Sequence, residues 1–164
     1  MTDELRSGPI GALIDEYERS VHTLVLLVED MTDEEFIRLA DLDATDPDCR
    51  SGQTVLRHVI RSGYGYADLL RAVFGISSAS PDVDLPARAD VAARLDDMMA
   101  YTIATFDGRW EITDEEVLAS SILTRWGQTY DIEQLLEHAI VHVLRHRRQT
   151  IKFLRTFGRE VTYR

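Results

Sequence analysis

The sequence predicts an all-α fold, a four-helix bundle with a long crossover connection between its second and third helices. Three features lead there. Four long segments repeat apolar residues at i, i+3 and i+4, no stretch sustains the alternation of a strand, and helix-start and helix-stop residues bound the segments. Four amphipathic helices can hide their apolar stripes only against one another, which a bundle does.

The first helix is expected over about Ile10–Glu29, opened by Ser7-Gly8-Pro9, with Leu13, Ile14, Tyr17, Val21, Leu24, Val25 and Val28 on one stripe. Thr32 is answered by Glu35 in a capping box, where each residue satisfies a free backbone N–H of the other, so a short helix follows to about Leu39. Asp41–Gly52 is polar and turn-rich and reads as a loop. The second helix runs from about Gln53 to Phe74, and Gly75 is its stop, because glycine takes the left-handed turn that ends a helix.

Gly75–Pro86 carries two prolines and three serines, which oppose helix. The second helix is roughly 33 Å long at about 1.5 Å per residue. A linker of this length reaches up to about 40 Å when extended. It is therefore long enough to return along the bundle, and helices two and three are expected to lie parallel. The third helix covers about Ala87–Phe106, with Val91, Leu95, Met98, Met99 and Ile103 facing the core. A second capping box, Thr113 with Glu116, heads a short apolar segment ending near Leu123. Asp131 with Gln134 caps a last long helix to about Phe157, followed by Gly158. Residues 1–164 read as a single domain, with no internal repeat.

Composition narrows the function classes. The chain has 164 residues, 45% of them hydrophobic and 29% charged, as in a soluble globular protein. Its net charge of −11 repels phosphate backbones and anionic membrane surfaces, so neither nucleic acid nor membrane is an expected partner. No run of apolar residues is long enough to span a bilayer. The start MTDELRSGPI has no basic region followed by an apolar one, so the expected location is cytoplasmic. One cysteine, Cys49, leaves no disulfide framework and no CxxC pair.

The five histidines are His22, His58, His138, His142 and His146, three of them in EHAIVHVLRHRRQ on the last helix. A spacing of four sets imidazoles on adjacent turns of one face, where two can grip one ion. Read as heptads, Ile132, Leu135, Ala139, His142, His146, Gln149 and Phe153 make one seam, so His142 and His146 stand where a bundle wants leucine. Imidazoles buried there need a partner. His138 is rotated towards solvent with Gln134 and Arg145. On the second helix Val55, Val59, Tyr66 and Leu70 mark the inner side, and His58 shares it. His58, His142 and His146 together supply three nitrogens from two helices and leave a coordination position open, the pattern of a reactive rather than a structural metal site. Other metal signatures fail on spacing. No glutamate has a histidine three residues later, and no histidine is followed by the glutamate of a zincin.

In TVLRHVIRSGYGY around His58 and HVLRHRRQ at His142–Gln149, the chain resembles the DinB/YfiT-like superfamily of small metal-dependent helical bundles, whose last helix carries H-x-x-x-H-R-G-Q. The resemblance implies a four-helix bundle, often a homodimer, holding nickel or zinc on ligands that map to His58, His142 and His146. It also implies a transferase or isomerase using a low-molecular-weight thiol, such as bacillithiol or mycothiol. The expected reaction is transfer of a small electrophile to the thiol, or its hydrolysis, since the same metal site can activate water. The alternative is a non-catalytic metal-binding module, a stress or sensor protein. At Arg148, where many relatives have glycine, a large cation is expected to narrow the pocket or select an anion. Arg145 and Arg148 head a basic run with Arg147, Lys152, Arg155 and Arg159 and are candidates for the carboxylates of a thiol cofactor. Tyr64, Tyr66, Trp126 and Tyr130 are candidates for the pocket mouth.

Overall fold

The computed structural model describes residues 5–162. Met1–Glu4, the first residues of the start on which the leader expectation rests, lie outside them. Among the described residues the protein is mostly helical. The helices are α1 (Gly8–Glu29), α2 (Asp33–Ile37), α3 (Gly52–Val73), α4 (Val91–Ala104), α5 (Asp114–Ala119) and α6 (Ile132–Thr156), with 3-10 turns at Pro47–Cys49 and Arg88–Asp90. A small antiparallel pair, β1 (Ile122–Leu123) with β2 (Thr129–Tyr130), precedes α6. No helix among the described residues is long and apolar enough to cross a membrane.

The helix starts form where the sequence places them. Thr32 with Glu35, Thr113 with Glu116 and Asp131 with Gln134 make reciprocal capping boxes. A further one, Ser51 with Thr54, starts α3. Gly75 and Gly158 follow α3 and α6 at φ of +67° and +86°, the left-handed region that ends helices cheaply only in glycine.

Two boundaries differ from the sequence expectation. The third long helix begins at Val91 rather than Ala87, because Arg88–Asp90 winds as a tighter turn, and it ends at Ala104. The segment after Thr113 leaves helix at Ala119, and Leu123 lies in a strand. Strands of two residues have no period to read.

The four long helices pack pairwise, α1 on α4 and α6, and α3 on α4 and α6. Between them lie Ile14, Tyr17 and Leu24 of α1, Val55, Leu56 and Leu70 of α3, Leu95 and Met98 of α4, and Leu135, Val143 and Leu154 of α6, all fully buried. Burial of each contributes about 1.5–3 kcal/mol before the cost of ordering it. At Gly63 the missing Cβ lets α4 come close, and a methyl there would overlap the side chain of Met98. Contacts between α3 and α4 ascend together along both helices. Gln53 Nε2 donates to the carbonyl of Pro86, Gly63 faces Met98, Tyr101 donates to Asp68, and Phe74 packs on Phe106.

Two loop elements frame the inner surface of α3 and α6. The turn at Pro47–Cys49 packs on α3, and the β1–β2 pair packs on both helices. The β turn is closed by the Thr124 N–H donating to the Gln128 carbonyl at 2.9 Å and by Gly127 at φ +85°. Arg125 and Trp126 are thereby held at its tip.

Candidate metal centre

His58 comes from the second turn of α3, and His142 and His146 from adjacent turns of α6. His142 and His146 are only 8% and 9% exposed, on the seam that also buries Leu135, Ala139 and Phe153. The three residues offer ligand nitrogens that all lie within 4.8 Å of one another. Nε2 of His58 and Nε2 of His142 are 3.0 Å apart. Two nitrogens bound at about 2.0–2.1 Å to one tetrahedral ion stand about 3.3 Å apart, so this spacing suits a shared cation.

Neighbouring groups fix which nitrogens face inward. Gln149 Nε2 donates to the Cys49 carbonyl at 3.2 Å, and a carbonyl only accepts, so the amide nitrogen must lie on that side. Its Oε1 then faces His146 Nδ1 at 2.9 Å and accepts from it. The proton of His146 therefore sits on Nδ1, and Nε2 keeps its lone pair. Nδ1 of His58 is buried with no hydrogen-bond partner, but Asp48 Oδ2 stands 3.9 Å away. A carboxylate on that side favours the proton on Nδ1 and again frees Nε2. Such outer partners are how metal-binding histidines are oriented.

Asp48 is itself anchored. It is 7% exposed, pairs with Arg57, and receives Arg61 Nη2 at 2.8 Å. Burial opposes its charged form, but the Arg57 and Arg61 guanidiniums outweigh this and hold its carboxyl below the usual range. All three histidines are pushed towards the neutral form, chiefly by burial. His142, crowded by the other two, falls to about 2 and His146 to about 4, while for His58 the nearby Asp48 works against the decrease. Neutral imidazoles with inward lone pairs are the form that ligates a cation. The donor set thus fits a divalent ion of the borderline kind.

A cleft of about 310 Å³ opens in front of His58 and His142, walled by Ser62, Tyr66, Arg125, Trp126 and His138. His138 is not turned out to solvent as its helical phase suggests. It is half-buried, its ring stacks on Trp126 at 5.4 Å and 23°, and its Nδ1 lies 3.3 Å from the Tyr130 hydroxyl. The β1–β2 pair covers it, and nothing in the period of α6 announces that cover. Tyr66 packs edge-on against His142 at 5.6 Å, and burial pushes its phenol up to about 12, so it stays a proton-bearing donor. Of the aromatics expected at the mouth, Tyr66 and Trp126 line this cleft, Tyr64 lines its extension, and Tyr130 backs His138. His22 is exposed on α1, away from the centre.

Arg148 does not narrow the histidine cleft. With Arg145, Gln149 and Lys152 it lines a separate cavity of about 600 Å³ that reaches His146 from the other side. The remaining cations of that run are dispersed. Arg147 donates to Thr23, Arg155 to the Val161 carbonyl, and Arg159 to Asp30 and Glu35. Cys49 contributes its carbonyl through Gln149, and burial raises its thiol pKa, away from the thiolate. Asp48 was not foreseen, because a loop acid in a turn-rich segment carries no periodic signal. Neither a protein-family model nor a curated protein matches the chain.

Proposed function

We propose that this chain is a DinB/YfiT-like four-helix bundle that binds one nickel or zinc ion on His58, His142 and His146. We further propose that it transfers a small electrophilic group to a low-molecular-weight thiol, or hydrolyses it. The observation that carries the reading is the three-histidine cluster, two of whose members, His58 and His142, line an open cleft, with no fourth His, Cys, Asp or Glu completing the group among the described residues. A three-ligand set beside a cleft leaves room for a reactant, whereas a structural site is closed by four. The ascending contacts of α3 and α4, from Gln53–Pro86 to Phe74–Phe106, support the parallel pair and the crossover of the bundle reading.

A divalent ion held here would supply Lewis acidity that makes a thiol or water deprotonate near neutral pH. The chain does the rest. Asp48 and Gln149 keep His58 and His146 in the ligating tautomer. Tyr66 presents a phenol that keeps its proton, suited to donating a hydrogen bond to an oxygen of the electrophile. Trp126, stacked on His138, shields one side of the cleft from water. In the test, untagged protein loaded with nickel or zinc is incubated with bacillithiol or mycothiol and a panel of epoxides, alkyl halides and unsaturated acids. Thiol consumption above background that disappears in His146→Ala is expected. A metal-loaded protein inactive on the whole panel, in hydrolysis as well as transfer, would leave metal binding as its only role.

A further inference from the structure

The histidine cleft does not end at the 310 Å³ chamber. A neighbouring cavity of about 470 Å³ shares Ser62, Tyr66, Arg125 and Trp126 with it, so the two form one continuous groove from the histidines outwards. This is the size range of small-molecule sites. Charge and shape along the groove are uneven. Arg57 and Arg61 are paired with Asp48. The one acid of the walls, Asp68, accepts from Tyr101 and from Ser80, both at 2.6 Å. Among the described residues Arg125, unlike Arg61 on the same wall, has no ion pair, and its charge lies close enough to His58 and Tyr66 to act on both. Beside it Trp126 is 42% exposed, an unusual degree for an indole, stacked on His138 and meeting Tyr66 edge-on at 6.1 Å.

An unpaired guanidinium next to a part-exposed indole, on a turn locked over the groove, is a built recognition pair. We propose that the substrate is a small organic anion with a planar unsaturated or aromatic group, its anionic end on Arg125 and its plane against Trp126 and Tyr66. The inference names the substrate class of the centre described above and rests on that reading for its chemistry, though not for its binding. Guanidinium meets a carboxylate through two parallel N–H donors, and a π face meets an indole by stacking.

The probes are trans-cinnamate, uncharged cinnamyl alcohol and saturated 3-cyclohexylpropanoate, titrated by calorimetry into zinc-loaded and metal-free protein. Cinnamate should bind about tenfold more tightly than either companion. Arg125→Gln should lower cinnamate to the level of the alcohol and leave the alcohol unchanged. Trp126→Leu should remove the preference over the saturated acid. Both variants should keep zinc affinity, since neither side chain belongs to the three-histidine group. Equal binding of the three probes, no detectable cinnamate binding, or unchanged discrimination in Arg125→Gln would overturn the proposal. Discrimination that persists in metal-free protein upholds it even if zinc fails to bind. Bound zinc without discrimination overturns it and leaves the metal reading standing.

Discussion

Nε2 of His58 and Nε2 of His142 stand 3.0 Å apart, although 84 positions separate the two residues in the chain. Two ring nitrogens at that distance either share a hydrogen, one of them as an N–H donor, or turn both lone pairs to one metal ion. His146 brings a third nitrogen within 4.8 Å of the other two. Elemental analysis of untagged protein is expected to give about one divalent ion per chain. His58→Ala, His142→Ala and His146→Ala should each lose it, while His22→Ala, on the exposed side of α1, should keep it. A stoichiometric ion retained by His146→Ala would reject the assignment.

Asp48 acts on the same centre through His58. Its carboxylate faces Nδ1, and Arg57 and Arg61 hold it in place. Asp48→Asn keeps the shape and removes the charge. Its affinity for zinc, read by competition with a chromophoric chelator, should fall about 10–100-fold, the usual effect of losing an outer partner. An affinity equal to the parent's would show that His58 is oriented by packing alone.

Stripping the ion should also loosen the fold, because the ligands tie α3 to α6. At a free ion concentration of about 100 times the dissociation constant, binding adds about 2.7 kcal/mol of stability. For a chain of this size that corresponds to a fall in Tm of roughly 5–10 °C on chelation. A thermal scan with verified metal removal and no shift would mean that ion and fold are uncoupled.

The metal-free protein should lose stability on mild acidification. His142 and His146 are held below the ordinary histidine value in the folded chain, to about 2 and about 4, by burial first. The unfolded chain, with ordinary values near 6.5, then binds more protons than the native one. Stability is therefore greatest above about pH 6.5 and is lost as pH falls from there towards the folded values. Between pH 6.5 and 5 each histidine should cost about 1–2 kcal/mol, a window in which carboxylates barely titrate. Melting curves of His142→Leu/His146→Leu should be flatter there than those of stripped parent protein. Parallel curves would show that the two imidazoles are solvated.

What could be read from the sequence was what repeats along a helix or sits at its ends. Thr32, Thr113 and Asp131 with their partners announce helix starts because capping is a local exchange of hydrogen bonds. His142 and His146 stand out because the heptad seam of α6 reserves those positions for apolar residues. His138 was misread for the complementary reason. Its phase on α6 points to water, but Trp126 and Tyr130 arrive from a two-residue strand pair and cover it. Arg148, with Arg145, lines the cavity on the His146 side rather than the cleft in front of His58 and His142, a distinction that helical phase alone does not make. Asp48 reaches His58 only through the tertiary fold.

A glycine lets α3 come close to α4. Gly63 is buried on the inner side of α3, in the same helix as His58 and only a little over one turn from it, and a Cβ there would overlap Sδ and Cγ of Met98. Met98 is fully buried, so its side chain has little room to swing away. Gly63→Ala gains about 1 kcal/mol of helix propensity and should still be net destabilising, by about 1–3 kcal/mol, because overpacking a dense core outweighs that gain. Met98→Ala alone should cost about 2–5 kcal/mol through the cavity it leaves. Combined, the two should cost less than the sum, since the new methyl fills part of the space the thioether vacates. A double-mutant cycle in urea measures the coupling. Strictly additive costs would show that the glycine serves α3 itself and not its approach to α4.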